Sequence, residues 1–390
     1  MKLPTLDDCE VAGRTVLLRV DINSPLDPDT LEILDTSRIE RIVPTVQELL
    51  DRDARVVILA HQGRPGGWDF TDLGQHAAAL SVILDRAVGY VDDVYGETAR
   101  QAITSLQDGE ALLLGNVRSF EGERDAKTPE EHARSEFVQA LHPLADLFVN
   151  DAFAAAHRSH CSMVGFTAVL PSYAGRLMEK EVDTLSLLTE QPEHPAVFAF
   201  GGAKYGNAIP VIQHLLERGS ADMVLLGGVP ANAFAGILDV EADEQEAITS
   251  LLDAHCEAIM LPTDVGIDDD GRKDLTIADV DDATAIKDIG PDTLSRFTEV
   301  IRNAATVLLT GPMGVFEEDA FATGTRDILQ AMVDSGAFTV IGGGHTVAAA
   351  RQFGVADDIS YVSTGGGSLE RFLMGKTLPA VAALEQCTKR

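Results

Sequence analysis

The sequence predicts an α/β protein made of two doubly wound parallel-sheet (Rossmann-like) domains that are joined by a helix and hinge. Short runs that are apolar on both faces alternate with amphipathic segments such as 38–52. This alternation is typical of buried parallel strands with crossover helices. The apolar fraction of 45% supplies large cores, and 390 residues suit two to three domains. The predicted strands are 16–20, 56–60, 111–114, 147–149, 196–200, 223–226, 306–309, 338–341 and 359–362.

The residues that follow these strands change in character along the chain. Early strands end in polar residues, whereas later ones end in glycine clusters, and 12 of the 34 glycines precede residue 189 while 22 follow it. A segment with apolar residues at helical spacing lies between the two halves and ends near a proline-rich break at 191–195. We predict domains over 1–170 and 191–372, with a helix and hinge over 171–190. A lone surface helix is the alternative for this linking segment.

Composition excludes several classes of function. The chain has 62 acidic and 30 basic residues, a net charge of −32, which repels nucleic acid and anionic lipid. No segment approaches the roughly 20 apolar residues of a membrane span, and the start turns acidic where a signal peptide would be apolar. We therefore expect a cytoplasmic protein without nucleic-acid or membrane partners. The 8 lysines among the basic residues favour a halophilic surface over that of a merely acidic mesophilic protein.

The cysteines and the acidic runs carry little metal chemistry. The four cysteines at 9, 161, 256 and 387 are far apart, which fits neither a disulfide framework nor a cysteine zinc site. The H-R-S-H-C run at 157–161 mimics metal ligands, but its arginine favours an anion-binding or capping role. We expect the acidic stretch 264–282 to be a solvated turn. A calcium-binding EF-hand loop is the alternative, but the stretch lacks the glutamate that such a loop needs.

Basic side chains gather after the early strands despite the acidic composition. Ligands of open parallel sheets bind beyond the carboxyl ends of the strands, and guanidinium groups clamp phosphate and carboxylate oxygens in pairs. This pattern predicts a site for a small, multiply charged anion, with Asp21 and Asn23 able to bind its hydroxyl groups. Ordinary ion pairs with surrounding acids are the alternative. The basic residues are Arg38, His61, Arg64, Arg118, His157 and Arg158.

The later glycine clusters predict a second site of different chemistry. Glycines let backbone N–H groups approach a phosphate chain, and helix N-termini add positive potential, so a nucleotide di- or triphosphate fits. The chain has no Walker sequence and no clean G-x-G-x-x-G, and glycines also serve tight turns. Lys204, one of eight lysines, follows G-G-A directly and is our candidate contact for the transferred group. An anion site and a nucleotide site together indicate phosphoryl transfer with hinge closure.

The order of these motifs resembles the phosphoglycerate kinase family, from residue 19 to the C-terminal segment. The shared runs are R-V-D-I-N-S-P-L at 19–26, H-Q-G-R-P at 61–65, N-D-A-F at 150–153, G-G-A-K at 201–204, G-P-M-G-V-F-E at 311–317 and S-T-G-G-G at 363–367. The resemblance implies reversible phosphoryl transfer between ATP and the carboxylate of 3-phosphoglycerate, giving 1,3-bisphosphoglycerate and ADP. It also implies Mg²⁺, a role in glycolysis and gluconeogenesis, a monomer, and a tail over 373–390 that packs on the first domain.

The resemblance also implies a role for individual positions. Arg38, Lys204, Gly344, Gly366 and Gly367 would stabilise the transferring group. The 3-phosphoglycerate residues would be Asp21, Asn23, Arg38, His61, Gln62, Gly63, Arg64, Arg118, His157 and Arg158. The nucleotide residues would be Gly202, Lys204, Gly228, Gly290, Pro312, Glu317, Gly343, Gly344, His345 and Thr346. No metal ligand is assigned.

Some positions depart from the family pattern. Ala208 stands where many members have a second lysine, and His345 replaces the aspartate expected beside magnesium. Thr310 and the pair at 154–155 also differ, as lineage variants would. Two other classes share part of the pattern. A two-lobed solute-binding protein would need an export signal and no nucleotide site, and an acid kinase of the acetate kinase type would not use 3-phosphoglycerate.

Overall fold

The computed structural model describes residues 3–280 and 285–387. Its internal contacts divide the chain into two units, of which unit 1 holds the described residues up to Asp183 and those from Thr377 onwards, and unit 2 is Thr184–Lys376. The predicted domain limits, 1–170 and 191–372 with a helix and hinge over 171–190, stay predictions. Parts of four sequence predictions lie outside the described residues: 1–2 of the first domain, 281–284 of the second domain, 281–282 of the acidic stretch and 388–390 of the C-terminal tail.

Unit 1 is built on a parallel sheet, as predicted. Its six strands have the order β3-β4-β2-β1-β5-β6, and every neighbouring pair is parallel. The strands are β1 (Thr15–Val20), β2 (Arg55–Leu59), β3 (Val88–Tyr90), β4 (Ala111–Leu113), β5 (Leu147–Asp151) and β6 (Ser172–Ala174). The helices before the unit boundary are α1 (Ser37–Asp51), α2 (Gly74–Leu84), α3 (Glu97–Ser105), α4 (Pro129–His132), α5 (Glu136–Leu141), α6 (Cys161–Val164) and α7 (Arg176–Glu190).

Both faces of this sheet are buried, which explains the unbroken apolar runs. Neighbouring residues of β1 point to opposite faces, so Leu18 joins one core cluster with Ile58, and Leu17 joins the other with Val57. The register Leu17↔Val57 and Leu18↔Ile58 aligns the strands so that β1 and β2 finish at the same edge. That edge receives the polar residues that follow each strand.

Unit 2 contains a second six-stranded parallel sheet, of order β15-β14-β13-β7-β8-β9, and a three-stranded antiparallel sheet, of order β11-β10-β12. Its strands are β7 (Ala196–Phe200), β8 (Met223–Leu226), β9 (Ile259–Met260), β10 (Asp264–Asp268), β11 (Arg272–Thr276), β12 (Ile286–Ile289), β13 (Thr306–Thr310), β14 (Phe338–Gly342) and β15 (Tyr361–Val362). Its helices are α8 (Ala208–Glu217), α9 (Gly228–Phe234), α10 (Ala242–His255), α11 (Pro291–Arg302), α12 (Thr323–Asp334), α13 (Gly344–Gln352) and α14 (Gly367–Leu373).

The predicted solvated turn over 264–282 is wrong for most of its described length. β10 and β11 form an antiparallel hairpin there, and only the bends at 269–271 form a turn. The strands pair through their backbones, from Asp264↔Thr276 to Asp268↔Arg272, and the acidic side chains also have partners. Lys273 pairs with Asp269 at 2.5 Å and Lys287 with Asp268 at 2.9 Å. These lysines neutralise the carboxylates that the sequence pattern assigns to solvent.

The linking segment divides between two elements. α7 begins at Arg176, and residues 172–174 instead form the edge strand β6 beside β5. α7 is continuous across the boundary between the two units at Asp183 and Thr184. The last helix, α15 (Pro379–Cys387), belongs to unit 1, where the backbone N–H of Ala380 donates to the carbonyl of Ala156 at 3.2 Å.

Candidate active site

Unit 1 gathers arginines around a cavity at the edge where its strands finish. We call it the arginine cavity, and its volume is about 500 Å³. Three of the predicted anion-binding residues line it, namely Arg64, Arg118 and Arg158. Four residues outside the predicted substrate residues complete the lining: Glu121, Arg124, Asp125 and His160. Of these, His160 belongs to the H-R-S-H-C run for which the sequence favours an anion-binding or capping role. Arg124 belongs to a run of mixed charge, E-G-E-R-D-A-K, whose pattern is that of a solvated turn, so no sequence signal marked it.

The electrostatics of the arginine cavity favour an anion. Burial and the like charges of Arg158 and Arg19 together lower the pKa of Arg118 to about 10. Burial and Arg158 also lower the pKa of His160 to about 3, so that ring is neutral at neutral pH. Of the acids in the lining, Asp125 is paired with Lys127 at 2.7 Å. Crowded guanidinium groups raise each other's energy, and an anionic ligand relieves that repulsion.

Asp21 and Asn23 follow β1 and fix the neighbouring loops. Asp21 accepts a hydrogen bond from Nη1 of Arg38 at 2.8 Å, which brings the first turn of α1 to the end of β1. Burial alone would raise the pKa of Asp21, but His61, Arg38 and the backbone N–H of Asn23 outweigh it and lower the pKa to about 2. The Asn23 side-chain oxygen accepts from the backbone N–H of Gly63 at 2.8 Å. The carboxylate of Asp21 is therefore charged at every physiological pH.

A buried polar layer supports His61. The Arg19 side chain is 1% exposed, and its guanidinium donates to Oγ of Ser162 at 2.8 Å and contacts Nδ1 of His61 at 3.1 Å. Ser162 donates in turn to the buried carboxylate of Glu123 at 2.6 Å. Burial raises the pKa of Glu123, while Arg19 opposes this rise. Arg19 is thus a buried cation whose charge faces Glu123 through one hydroxyl group.

The other predicted substrate residues of unit 1 lie beside the arginine cavity. The amide of Gln62 is buried and bonded to the backbone of Ser24, at 2.9 and 3.0 Å, and to His76 at 3.1 Å, so it braces the loop. Gly63 has φ +65°, and a Cβ there would meet the carbonyl oxygen of Asp69 at 2.2 Å. His157 accepts from Nε of Arg158 at 3.0 Å.

Unit 2 presents a different cavity, about 320 Å³ in volume, which we call the glycine cavity. It lies where β7, β13 and β14 end and the following loops begin. Nine predicted residues line it: Gly202, Lys204, Pro312, Gly343, Gly344, His345, Thr346, Gly366 and Gly367. Residues that the prediction did not include also line it, among them Asn207, Thr310 and Glu370. Ala208, which stands in place of a second lysine, belongs to the same lining.

Backbone contacts explain why glycine is needed in this cavity. Gly201 donates to the carbonyl of Thr310 at 2.9 Å, and Gly202 donates to that of Pro312 at 2.7 Å, so two loops are joined through their backbones. A Cβ on Gly201 would meet the Pro312 oxygen at 2.3 Å. Gly228 lies outside the cavity lining but directly behind it, because a Cβ there would meet the carbonyl oxygen of Gly202 at 2.6 Å.

The polar groups of the glycine cavity are few. The basic side chains of its lining are those of Lys204 and His345, and both residues are exposed. The nine-residue helix α13 begins in the same lining, at Gly344. The buried hydroxyl of Thr346 accepts from the backbone N–H of Gly311 at 2.8 Å, which ties α13 to the loop after β13. Helix N-termini and backbone N–H groups bind phosphate oxygens well. The cavity therefore suits a phosphate chain.

Two predicted nucleotide residues lie away from the lining. Gly290 immediately precedes α11, where a Cβ would meet the carboxylate of Asp264 at 2.3–2.7 Å, and Glu317 is an exposed residue in the segment after β13. Within 3–280 and 285–387, no group of three or more His, Cys, Asp or Glu side chains could hold a metal ion. Over the same residues, no helix is both long and apolar enough to cross a membrane.

Comparison with known proteins identifies the family. The family model described as phosphoglycerate kinase matches residues 6–376. The phosphoglycerate kinase of Methanothermobacter thermautotrophicus is 45% identical over 400 residues, covering 99% of this chain and 97% of that protein. The enzyme of Methanothermus fervidus is 43% identical over 404 residues, covering 100% of this chain and 98% of that protein. This chain belongs to the phosphoglycerate kinase family.

Solved structures agree with that family. The phosphoglycerate kinase of Pyrococcus horikoshii superposes with a TM-score of 0.90 at 35% identity, covering 99% of this chain and all of that one. The enzyme of Coxiella burnetii superposes with a TM-score of 0.85 at 33% identity, covering 99% of each chain. The predictions of two parallel-sheet domains and of a phosphotransferase of this family are confirmed. The reaction is the reversible phosphoryl transfer between ATP and the carboxylate of 3-phosphoglycerate, a step of glycolysis.

Proposed function

We propose that the arginine cavity of unit 1 binds 3-phosphoglycerate and that the glycine cavity of unit 2 binds the phosphate chain of ATP or ADP. The observation that carries this assignment is the difference in chemistry between the two cavities. One is lined by four guanidinium groups, Arg64, Arg118, Arg124 and Arg158. The other is lined largely by glycine backbone, with Lys204 and His345 as its basic side chains. Guanidinium groups bind a compact phosphate group well, whereas a row of backbone N–H groups binds an extended phosphate chain well.

On the acceptor side, the arginines would hold the 3-phosphate. Asp21 and Asn23 would receive the hydroxyl and the carboxylate region of the glycerate. Arg38, which is bonded to Asp21 at 2.8 Å and has a side chain 42% exposed, would reach the reacting carboxylate. His61, as a neutral imidazole, would donate a hydrogen bond to the substrate. Gln62, Gly63 and His157 would act through the loops that they brace.

On the nucleotide side, Lys204 would neutralise the transferring phosphoryl group. It is exposed in the cavity, within the loop that joins β7 to α8. Backbone N–H groups of Gly344, Gly366 and Gly367 would complete the cradle, with Gly202, Pro312, Gly343, His345 and Thr346 around the phosphates. Gly228, Gly290 and Glu317 would contact the adenosine or support the loops beside it.

The chemistry needs positioned cations more than a base. Phosphoryl transfer passes through a loose transition state with charge on the equatorial oxygens, so fixed positive groups lower the barrier. The acceptor carboxylate is ionised at neutral pH and gives up no proton during the reaction. Arg38 and Lys204 would therefore act by electrostatic stabilisation, and no residue would have to act as a general base.

The glycine cavity also fits Mg²⁺ in the manner usual for nucleotides. Magnesium bound with phosphates keeps several waters and takes only one or two carboxylates from the protein. The cavity has one carboxylate in its described lining, that of Glu370, so a full protein cage is not required. When bound, the ion would neutralise charge on the phosphate oxygens. The chain's own residues would orient the phosphates and exclude water.

Three further features belong to this proposal. We expect a monomeric enzyme in the cytoplasm, where glycolytic intermediates occur.

Transfer requires the two ligands to meet, so we expect a hinge motion that involves α7, the helix that is continuous across the unit boundary. The net charge of −32 suits a salty cytoplasm, because salt screens the repulsion between acidic side chains.

Separate ligand titrations test the assignment of the two cavities. We expect Arg158→Ala to weaken binding of 3-phosphoglycerate about tenfold or more and to leave ADP binding unchanged, because one charge-assisted contact is lost. Lys204→Ala should weaken the binding of ATP, which carries the transferring phosphoryl group, and leave the binding of 3-phosphoglycerate unchanged. Lys273→Ala, which removes a surface lysine paired with Asp269, is the matched control. Calorimetry that found both ligands weakened by one variant, or neither weakened by both, would reject the assignment.

A further inference from the structure

The glycine cavity contains a carboxylate that its proposed ligand should repel. Among the residues of its described lining, Glu370 is the one acidic side chain, and it lies in the first turn of α14. Its Oε2 accepts a hydrogen bond from Nδ2 of Asn207 at 2.8 Å. Asn207 directly precedes α8 and also lines the cavity. The contact therefore joins two segments of the lining that are 163 residues apart in sequence.

A bare carboxylate next to a phosphate chain is unfavourable. Like charges that lie close together near a protein surface repel each other, and here both groups are negative. The arrangement becomes favourable when a cation binds to both groups. Lys204 and His345 are the basic side chains of the described lining, and Lys204 is already assigned to the transferring phosphoryl group. An imidazole is a poor ligand for magnesium, which prefers oxygen.

We propose that Glu370 is the protein's carboxylate ligand for the divalent cation that accompanies the nucleotide phosphates, and that Asn207 orients it. The role that the family pattern gives to an aspartate at position 345 is thereby supplied from another element, α14, in this chain. This inference rests on the proposed nucleotide site. A single carboxylate is sufficient, because phosphate oxygens and water complete the coordination of Mg²⁺.

The test measures metal binding without turnover. Mn²⁺ serves as a paramagnetic probe, and its free concentration is followed by electron paramagnetic resonance in the presence of saturating ADP. We expect Glu370→Gln to weaken Mn²⁺ binding to the ADP complex about tenfold. Glu217→Gln, which removes an exposed carboxylate from α8 of the same unit, should leave Mn²⁺ binding unchanged.

A second measurement separates this inference from the proposed nucleotide site. ADP binding in excess EDTA should be equal or tighter in Glu370→Gln, since a repulsive charge is gone, and this also shows that the variant is folded. Equal Mn²⁺ affinity in wild type and Glu370→Gln would overturn the role of Glu370 while leaving the nucleotide site intact. Absence of ADP binding by the wild type, with and without metal, would overturn the nucleotide site itself and this inference with it.

Discussion

The guanidinium of Arg19 lies 3.1 Å from Nδ1 of His61, and this contact determines which form of the histidine can exist. A guanidinium only donates hydrogen bonds, so Nδ1 must be the acceptor and the ring proton must be on Nε2. Burial lowers the pKa of His61 well below 6.5, and the charges of Arg19, Arg118 and Arg158 add to that effect against the opposing charge of Asp21. His61 is therefore a neutral donor among cations.

We predict that His61 stays neutral when the pH falls through 6.5. Because its pKa is lower in the folded than in the unfolded chain, the unfolded chain takes up a proton first as the pH falls through 6.5. The free energy of unfolding should thus lose the contribution of neutral His61 below that pH. Nitrogen chemical shifts of the ring should report an unprotonated Nδ1 throughout. A titration midpoint near 6.5, or a proton on Nδ1, would show that Arg19 does not set the tautomer.

We predict that Arg124 binds the substrate phosphate, although the family motifs do not include it. It lines the arginine cavity with Arg64, Arg118 and Arg158. Arg124→Ala should raise the KM for 3-phosphoglycerate roughly 10-fold to 100-fold, the loss expected for a hydrogen bond to a charged group, and should leave the KM for ATP unchanged. Arg100→Ala, a surface arginine of unit 1 paired with Glu97, is the control. Unchanged kinetics in Arg124→Ala would place that side chain outside the site.

We predict that Gly228→Ala weakens nucleotide binding through the backbone of Gly202. Gly228 has φ +52°, and its added Cβ would meet the Gly202 oxygen at 2.6 Å and nitrogen at 2.8 Å. Gly236 also has a positive φ, +71°, but nothing lies within 4 Å of a Cβ there. Both alanine variants should lose about 1–2 kcal/mol of stability to the left-handed conformation, yet only Gly228→Ala should raise the Kd for ADP. Equal ADP affinity in the two variants would contradict the proposed support of Gly202.

Much of the fold was predictable because its strands are buried on both faces. β7 and β8 have the predicted bounds, and β1, β2 and β13 differ by one residue at one or both ends. The edge strands β3 and β6 have the sequences V-G-Y and S-Y-A, so neither stands out as an apolar run. The hairpin of β10 and β11 was hidden for another reason, since some of its charged side chains gain partners from residues that are distant in sequence, as Asp268 does from Lys287.

The site was predictable where a residue follows a strand directly. Asp21 and His61 have this position in unit 1, where β1 and β2 finish at the same edge. The glycines after β7 have the corresponding position in the sheet of unit 2. Arg124, Arg19 and Glu370 were not predictable in this way. Their roles depend on side-chain contacts across long stretches of chain, such as the 143 residues between Arg19 and Ser162. Neither spacing nor composition encodes such contacts.

We predict that the protein is stabilised by salt. At a net charge of −32 the folded chain repels itself, and molar KCl shortens the screening length from about 10 Å at 0.1 M to about 3 Å. The thermal midpoint should therefore rise steadily between these two concentrations. Scanning calorimetry in KCl measures it directly. A midpoint that stays constant or falls would indicate an acidic protein that is not adapted to high salt.

The most direct test of the residue assignments is the rate of ADP formation from ATP on addition of 3-phosphoglycerate, with Mg²⁺, in a coupled assay. We expect turnover that depends on the acceptor, a kcat lowered roughly 10²-fold or more in Arg38→Ala and in Lys204→Ala, and an unchanged kcat in Lys273→Ala. Acceptor-dependent turnover that is equally fast in all three variants would contradict the assigned roles of Arg38 and Lys204. No acceptor-dependent turnover in the wild type would contradict the reaction itself.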